Sequence, residues 1–265
     1  EDGIRDRSPS RWLGDVYKRE MYDPRNCAVS LLNARRPGSP IDTLLPEHTP
    51  ADLAQAYAVQ NKLVELLVPK LGPPAGYKVG CTNSAARELL GIDSCFSGRC
   101  FEYGIHQSPL VLNSEDFHMV GIEPEIAVRV GDDLLAGESW TAERVAELSV
   151  EIMPSIEVVE SRFSTWPHMG SLAAIADNGV HRELILGEPE TDWSVESVNG
   201  AEVTLTAGDQ IVQQGNAANV DGGPFGVLAW LANHLNAMGT TLAAGEIVTT
   251  GVMTDIYDSA PGEKI

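Results

Sequence analysis

Basic residues are scarce in this chain. Lysine and arginine number 18 against 38 aspartates and glutamates, giving a formal charge of -20 and a pI near 4.5. Binding to phosphate backbones needs a basic face, so nucleic acid is not an expected partner. An anionic membrane surface is disfavoured on the same ground. The lone basic pair, Arg35-Arg36, adjoins Pro37 and Gly38 and reads as a solvated loop. Long apolar runs are missing too. None approaches the roughly 18 residues of a membrane helix, and Glu1 to Glu20 has no apolar core of a signal peptide. Cysteines number four, with no CxxC pair and no histidine at zinc-finger spacing. They read as free thiols in a reducing compartment. The expectation is a cytoplasmic protein.

What is present is ordinary globular material: 265 residues, 43% hydrophobic and 21% charged, enough for one large domain or a main domain with a smaller lobe. Residues 1–48 read as an N-terminal extension and linker, rich in proline and turn formers from 37 onward. A helical lobe is expected over 49–75. Thr49 is placed to cap the helix, Pro50 suits its first turn, and Leu53, Ala56, Tyr57, Leu63, Val64 and Leu67 recur at helical spacing. Leu71-Gly72-Pro73-Pro74 should end it.

Beyond Pro74 the texture is β-type, in short runs between Gly- and Asp-rich turns. Strands are expected at Gly76–Cys81, Ile122–Val130, Ser155–Val159, Val203–Thr206 and Ile247–Thr250. Two helices interrupt them, Thr141–Leu148 and about Pro224–Met238, the latter stopping at Gly239. On its apolar side Phe225, Leu228, Leu231 and Leu235 should pack on the sheet. The fold class is therefore α+β, with a β-rich domain over 76–265.

The sharpest local feature is Gly121-Ile122-Glu123-Pro124-Glu125-Ile126-Ala127-Val128. Residues i and i+2 of a strand share a face, so Glu123 and Glu125 project side by side. Two adjacent carboxylates repel, and a hard divalent cation such as Mg²⁺ or Mn²⁺ relieves that repulsion. A solvated acidic strand face is the plainer alternative. The apolar flanks, and a further acid in Ser155-Ile156-Glu157-Val158-Val159-Glu160, argue for burial and for a shared partner. Glu157 and Glu160 are three apart and face opposite ways. Glu160 adjoins Arg162 and has a local partner, so Glu157 is the candidate third ligand.

These blocks, taken together, resemble the 2-keto-4-pentenoate hydratase family. Gly76-Tyr77-Lys78-Val79-Gly80-Cys81-Thr82 resembles its G-x-K-x-G-x-T segment, followed by Leu89-Leu90-Gly91-Ile92-Asp93. Glu123-Pro124-Glu125-Ile126-Ala127 resembles its metal strand, and Ile156 to Arg162 its third-ligand strand. Ala176-Asp177-Asn178 and Gly245 to Gly251 continue the match, which spans roughly residues 50 to 265.

The resemblance implies the β-rich mixed roll of the fumarylacetoacetate hydrolase superfamily. It implies a Mg²⁺ or Mn²⁺ site on Glu123, Glu125 and Glu157, with Lys78 in the active site. Thr250 and Gly251 would contact substrate through backbone groups. The substrate implied is a small 2-oxo acid or its dienol, handled through a metal-stabilised enolate by a homo-oligomeric hydratase.

Two departures stand out. Phe96 occupies a place where the family usually has an acid. Gly179-Val180-His181-Arg182 replaces small residues and a serine. His181 is a candidate replacement base, its ordinary pKa lying near neutrality, with a plain loop histidine as the alternative. The departures keep three other outcomes open: a 2-oxo acid decarboxylase, a carbon–carbon bond hydrolase, and a non-catalytic metal or ligand binder.

Overall fold

A computed structural model describes residues 22–265, so the expectation for residues 1–20 lies outside the described residues. Helix α1 (Pro24–Ala34) starts on Asp23, whose side chain accepts from the Arg25 N–H, with Pro24 at its first position. No helix was expected here. The stretch is short, but its Cys27, Ala28 and Leu31 are fully buried against Val59 and Leu63 of the next helix. Tertiary packing, more than propensity, holds it.

Helix α2 (Leu53–Leu71) is capped by Asp52, whose carboxylate accepts from the Gln55 N–H at 2.8 Å. Thr49 instead closes a short helical turn over Pro46–His48. The cap thus falls three residues later than the sequence suggested, where a side-chain oxygen reaches the third helical N–H. Gly72, at φ 77°, ends the helix as expected.

The remainder is a curled mixed sheet with helices on it. In chain order come β1 (Pro74–Gly80), α3 (Ser84–Leu90), β2 (Phe96–Phe101), β3 (Ile105–Gln107), β4 (Gly121–Val130) and α4 (Ala142–Glu147). Then follow β5 (Ser149–Val159), α5 (Ser171–Ala176), β6 (His181–Leu186), α6 (Val195–Asn199), β7 (Glu202–Ala207) and β8 (Gln210–Asn216). Helix α7 (Gly223–Ala237), β9 (Ile247–Thr249) and β10 (Tyr257–Asp258) complete the chain.

The sheet order is β2-β1-β9-β4-β5-β6-β3, with β10 also pairing β4, while β7 and β8 form a separate hairpin. Pairs β1/β9 and β3/β6 are parallel and the others antiparallel. The mixed α+β roll expected from sequence is what forms. Strand β5 begins six residues earlier than expected, because Ser149 to Pro154 pair along the length of β4 despite the proline.

Helix α7 is apolar on most of its surface. Phe225, Leu228, Leu231 and Leu235 are buried and join Tyr77, Val79, Ile126, Val128 and Val248 in the main core, with Trp230 packed at its margin. Burying one leucine of this kind is worth about 1.5–3 kcal/mol. This core braces one face of β1, β9 and β4, the strands that carry the candidate site. Among the described residues no helix is long and apolar enough to cross a membrane.

Candidate active site

The pleat of β4 sends Glu123 and Glu125 to one face while Ile122, Pro124 and Ile126 take the other. Strand β5 pairs Glu157 directly across from Glu123. Ligand atoms of all three acids lie within 4.8 Å of one another, the one such cluster found among the described residues. Glu157 has no exposed surface and Glu125 has 3%.

Each buried carboxylate is held by one oxygen. Glu125 Oε2 accepts from the Gly251 N–H at 2.7 Å and from the Thr249 hydroxyl. Glu157 Oε1 lies 3.3 Å from Lys78 Nζ and 2.8 Å from His181 Nδ1. Glu157 Oε2 is buried without any partner. A buried carboxylate oxygen left unpaired among converging acids is what a cation ligand looks like before the cation is counted.

The electrostatics agree. Burial pushes Glu123 up to about 7, against the pull of Lys78. Glu125 stands well above the carboxylate range through burial and the charges of Glu157 and Glu123. Burial also opposes ionisation of Glu157, but Lys78 and His181 outweigh it and hold that carboxyl below its usual value. Lys78 is buried, yet Glu157, Glu123 and Glu125 raise its pKa, so it is an ammonium. Three carboxylates and one ammonium leave two formal negative charges, which a divalent cation would neutralise. An all-oxygen donor set suits Mg²⁺ or Mn²⁺. The residues present therefore fit a hard divalent cation.

Lys78 comes from β1, between Gly76 and Gly80. A side chain at Gly76 would meet the Ile247 carbonyl at 2.1 Å, so glycine there lets β1 lie against β9. Beyond the ammonium opens a cavity of about 210 Å³. Its walls include Leu89 and Leu90 of α3, Phe96, Val159, Val180 and Ile256, with Glu123, Glu125 and Lys78 at the charged end. A larger cavity of about 540 Å³ lies against Pro124, Ile126, Ile156 and the β7–β8 hairpin. Its lining combines aliphatic side chains with Glu125, Glu190 and Glu202 but holds no lysine or arginine, whereas the smaller cavity joins Lys78 to Glu123 and Glu125.

His181 opens β6 with its ring turned onto Glu157. It does not line the 210 Å³ cavity, and its Nε2 is buried and unpartnered. Thr250 donates its N–H and hydroxyl to the Ile126 carbonyl and has no exposed surface. Gly251, at φ 110°, sits so close to Thr82 that an added Cβ would come within 2.1 Å of its hydroxyl. Its N–H is occupied by Glu125. Thr250 and Gly251 thus fasten β9 and orient a carboxylate, and neither lines the cavity.

Two groups escaped sequence reasoning. Thr249, beside the chosen Thr250, is the hydroxyl that reaches Glu125. Gly179 holds Lys78, whose Nζ donates to the Gly179 carbonyl at 3.1 Å, and Asn178 precedes it in the same turn. The only sequence signal for them was the Ala176-Asp177-Asn178 segment itself.

Glu160 stays out of the cluster, as expected, and pairs with Arg162 at 3.4 Å. Arg35 corrects the reading of a solvated basic loop. It is buried and forms an ion pair with Asp177 at 3.0 Å. A basic pair beside Pro37 gives no local hint of an acid 142 residues away.

The model of the fumarylacetoacetate (FAA) hydrolase C-terminal family matches residues 79–263. The chain belongs to this family. It is 30% identical over 224 residues to a 2-keto-4-pentenoate hydratase of Paraburkholderia phymatum, covering 83% of this chain and 82% of that one. It is 27% identical over 241 residues to 2-keto-4-pentenoate hydratase 2 of Dechloromonas aromatica, covering 91% of each. The crystal structure of 4-oxalocrotonate decarboxylase from Pseudomonas putida G7, complexed with magnesium and adipate, superposes with a TM-score of 0.83. That match is at 24% identity over 91% of this chain and 90% of that chain, and it establishes the fold. The chain is an enzyme of the FAA hydrolase superfamily, and its acidic cluster supports a divalent metal.

Proposed function

We propose that this chain is a divalent-metal-dependent lyase acting on a 2-oxo acid or its dienol. The reaction we assign is hydration of the 2-keto-4-pentenoate hydratase type, with Mg²⁺ as the metal. The observation that carries the reading is the junction of two environments in one cavity. Glu123, Glu125 and Lys78 stand at one end, with Glu157 of the same cluster behind them, and an apolar sleeve of Leu89, Phe96, Val159, Val180 and Ile256 at the other.

Glu123, Glu125 and Glu157 would hold the cation. Bound there, it supplies Lewis acidity to the paired carboxylate and keto oxygens of a 2-oxo acid. The rest follows from side chains. Lys78, kept protonated by the acids, offers its Nζ to the substrate carboxylate or to the enol oxygen as charge builds there. The Gly179 carbonyl and Glu157 fix that ammonium from two sides. The apolar walls enclose the hydrocarbon end of the substrate and limit its contact with water.

The same walls weigh between reactions. Among the residues lining the cavity, Lys78 is the only lysine or arginine. The second carboxylate of a dicarboxylic 2-oxo acid would reach the apolar end without a cationic partner, which is costly when buried. A neutral tail is the better fit, and this favours hydration of a monoacid dienol over decarboxylation of a diacid.

Two measurements test the proposal. C3 proton exchange of 2-oxopentanoate in D₂O should require Mg²⁺, and 2-hydroxypenta-2,4-dienoate should lose its conjugated absorbance on addition of enzyme. Exchange without hydration would move the assignment to a decarboxylase or carbon–carbon hydrolase. Mg²⁺ binding without exchange would make the chain a binder.

A further inference from the structure

Strand β2 is the edge of the sheet and pairs only with β1. At Arg99 its free edge is nevertheless satisfied. Asn178 Oδ1 accepts from the Arg99 N–H at 2.7 Å, and Asn178 Nδ2 donates to the Arg99 carbonyl at 2.9 Å. One side-chain amide thus does for β2 what a residue of a neighbouring strand would do. Asn178 is 1% exposed.

The backbone that carries this amide is unusual. Asn178, Gly179 and Val180 have φ of 57°, 65° and 55°, three left-handed residues in succession. Asparagine and glycine tolerate that region, but a β-branched valine does so only under strain. Such strain persists where the surroundings over-determine the conformation, and it concentrates at functional sites.

The surroundings here are well defined. The Asn178 carbonyl lies so near Gly98 that an added Cβ would come within 2.4 Å of it. A Cβ on Gly179 would stand 3.0 Å from Lys78 Cδ. Gly98 is in turn the cross-strand partner of Lys78. The product of this arrangement is the Gly179 carbonyl, aimed at Lys78 Nζ from 3.1 Å, and Val180, turned into the cavity wall.

We propose that Asn178 is a positioning residue: its two-bond clamp on the edge of β2 holds a strained left-handed turn in place, and that turn aims the Lys78 ammonium at the carboxylate cluster. The proposal rests on the functional reading above, because it assigns Asn178 a role through Lys78.

The test compares Asn178→Ala with Gln60→Ala. Gln60 is also buried and makes two hydrogen bonds in this region, donating to the Ser97 and Ile175 carbonyls, both at 2.8 Å, and neither bond reaches the turn or Lys78. Both variants should lower the melting temperature. Asn178→Ala should in addition lower kcat for Mg²⁺-dependent proton exchange by about 10²-fold, as expected for a misplaced group. Its Mg²⁺ affinity should stay within about threefold, because the lysine that moves is not a ligand. Gln60→Ala should keep kcat within about threefold of wild type. A crystal structure of Asn178→Ala should show Lys78 Nζ withdrawn from Glu157.

Equal kcat losses in the two variants would reduce Asn178 to a structural role and overturn the proposal. An undisplaced Lys78 would do the same. Lys78→Met, run alongside, separates the two levels of inference. Full exchange in Lys78→Met would remove the lysine from the reaction and the positioning role with it. A dead Lys78→Met beside an unimpaired Asn178→Ala would overturn the positioning alone. If the wild type exchanges nothing, the functional reading fails, and the position of Lys78 in the Asn178→Ala crystal still decides whether the clamp aims it.

Discussion

Two buried charge clusters meet along one strand end, three residues apart. Around Glu157 stand Glu123, Glu125 and Lys78. Around Glu160 stand Arg35, Arg162, Arg182, Asp177 and Glu183, linked by contacts of 3.0 to 3.6 Å. The second cluster has three guanidinium groups and three carboxylates, so it is neutral by itself. The first has three carboxylates and one ammonium beside the His181 ring, and with its acids ionised and that ring neutral it stays two charges short. Burial of ions is tolerated when they are paired. The balanced cluster is therefore a fastening that ties α1 to β5 and β6, and the unbalanced one is a site that expects a partner. Charge accounting over the folded neighbourhood separates the two where burial alone does not, since Glu157 and Glu160 are equally buried.

The comparison can be broken from its balanced side first. Arg162→Met leaves Asp177 and Glu160 buried with too little positive charge. It should cost about 3–5 kcal/mol of stability in urea denaturation. A cost below about 1 kcal/mol, in the range of an exposed pair, would show the cluster to be dispensable. On the other side, Lys78→Met should lower turnover by about 10²–10³-fold while Mg²⁺ affinity, read by calorimetry, stays within about tenfold. Full activity would assign this lysine to structure alone.

Glu157→Gln and Glu160→Gln sharpen the contrast between β5 and the residue that follows it. The first should weaken Mg²⁺ binding by at least about tenfold, roughly 1.4 kcal/mol. The second should leave Mg²⁺ binding within about threefold. Equal effects on metal affinity would erase the distinction drawn here.

The smallest effect is in pH. Glu123 and Glu125 must lose their protons to serve as ligands, so Mg²⁺ affinity should rise with pH through about 7, where Glu123 ionises. In metal-free protein the sign for stability is opposite. The folded state keeps a proton that the unfolded chain releases near 4.5. The stabilising contribution of Glu123 is complete below that pH and is lost as pH rises through about 7. A Glu123→Gln variant whose metal-free stability falls over that interval as steeply as the wild type's would contradict the assignment.

Much of this was legible in the residues. The alternation of Glu123 and Glu125 with apolar neighbours, the helix at 223–237 and the separation of Glu157 from Glu160 all follow from strand and helix periods. Those periods act over a few residues and leave their mark in any single sequence. Helix α1 left no such mark, because it is short and is held by residues of α2. Arg35 was misread because its partner is distant in the chain. Thr249 and His181 could be seen as residues but not as partners of Glu125 and Glu157.

The sequence by itself therefore determined which side chains share a strand face and that they are acidic in an apolar setting. Only the tertiary structure decided the rest. The register of β4 on β5 set Glu157 opposite Glu123, and the β1–β9–β4 pairing brought Lys78 alongside. Side-chain direction is a local consequence of backbone geometry, whereas the net charge of a site is a sum over strands. That sum depends on which distant segments pair, and pairing is settled by burial and hydrogen bonding across the whole sheet.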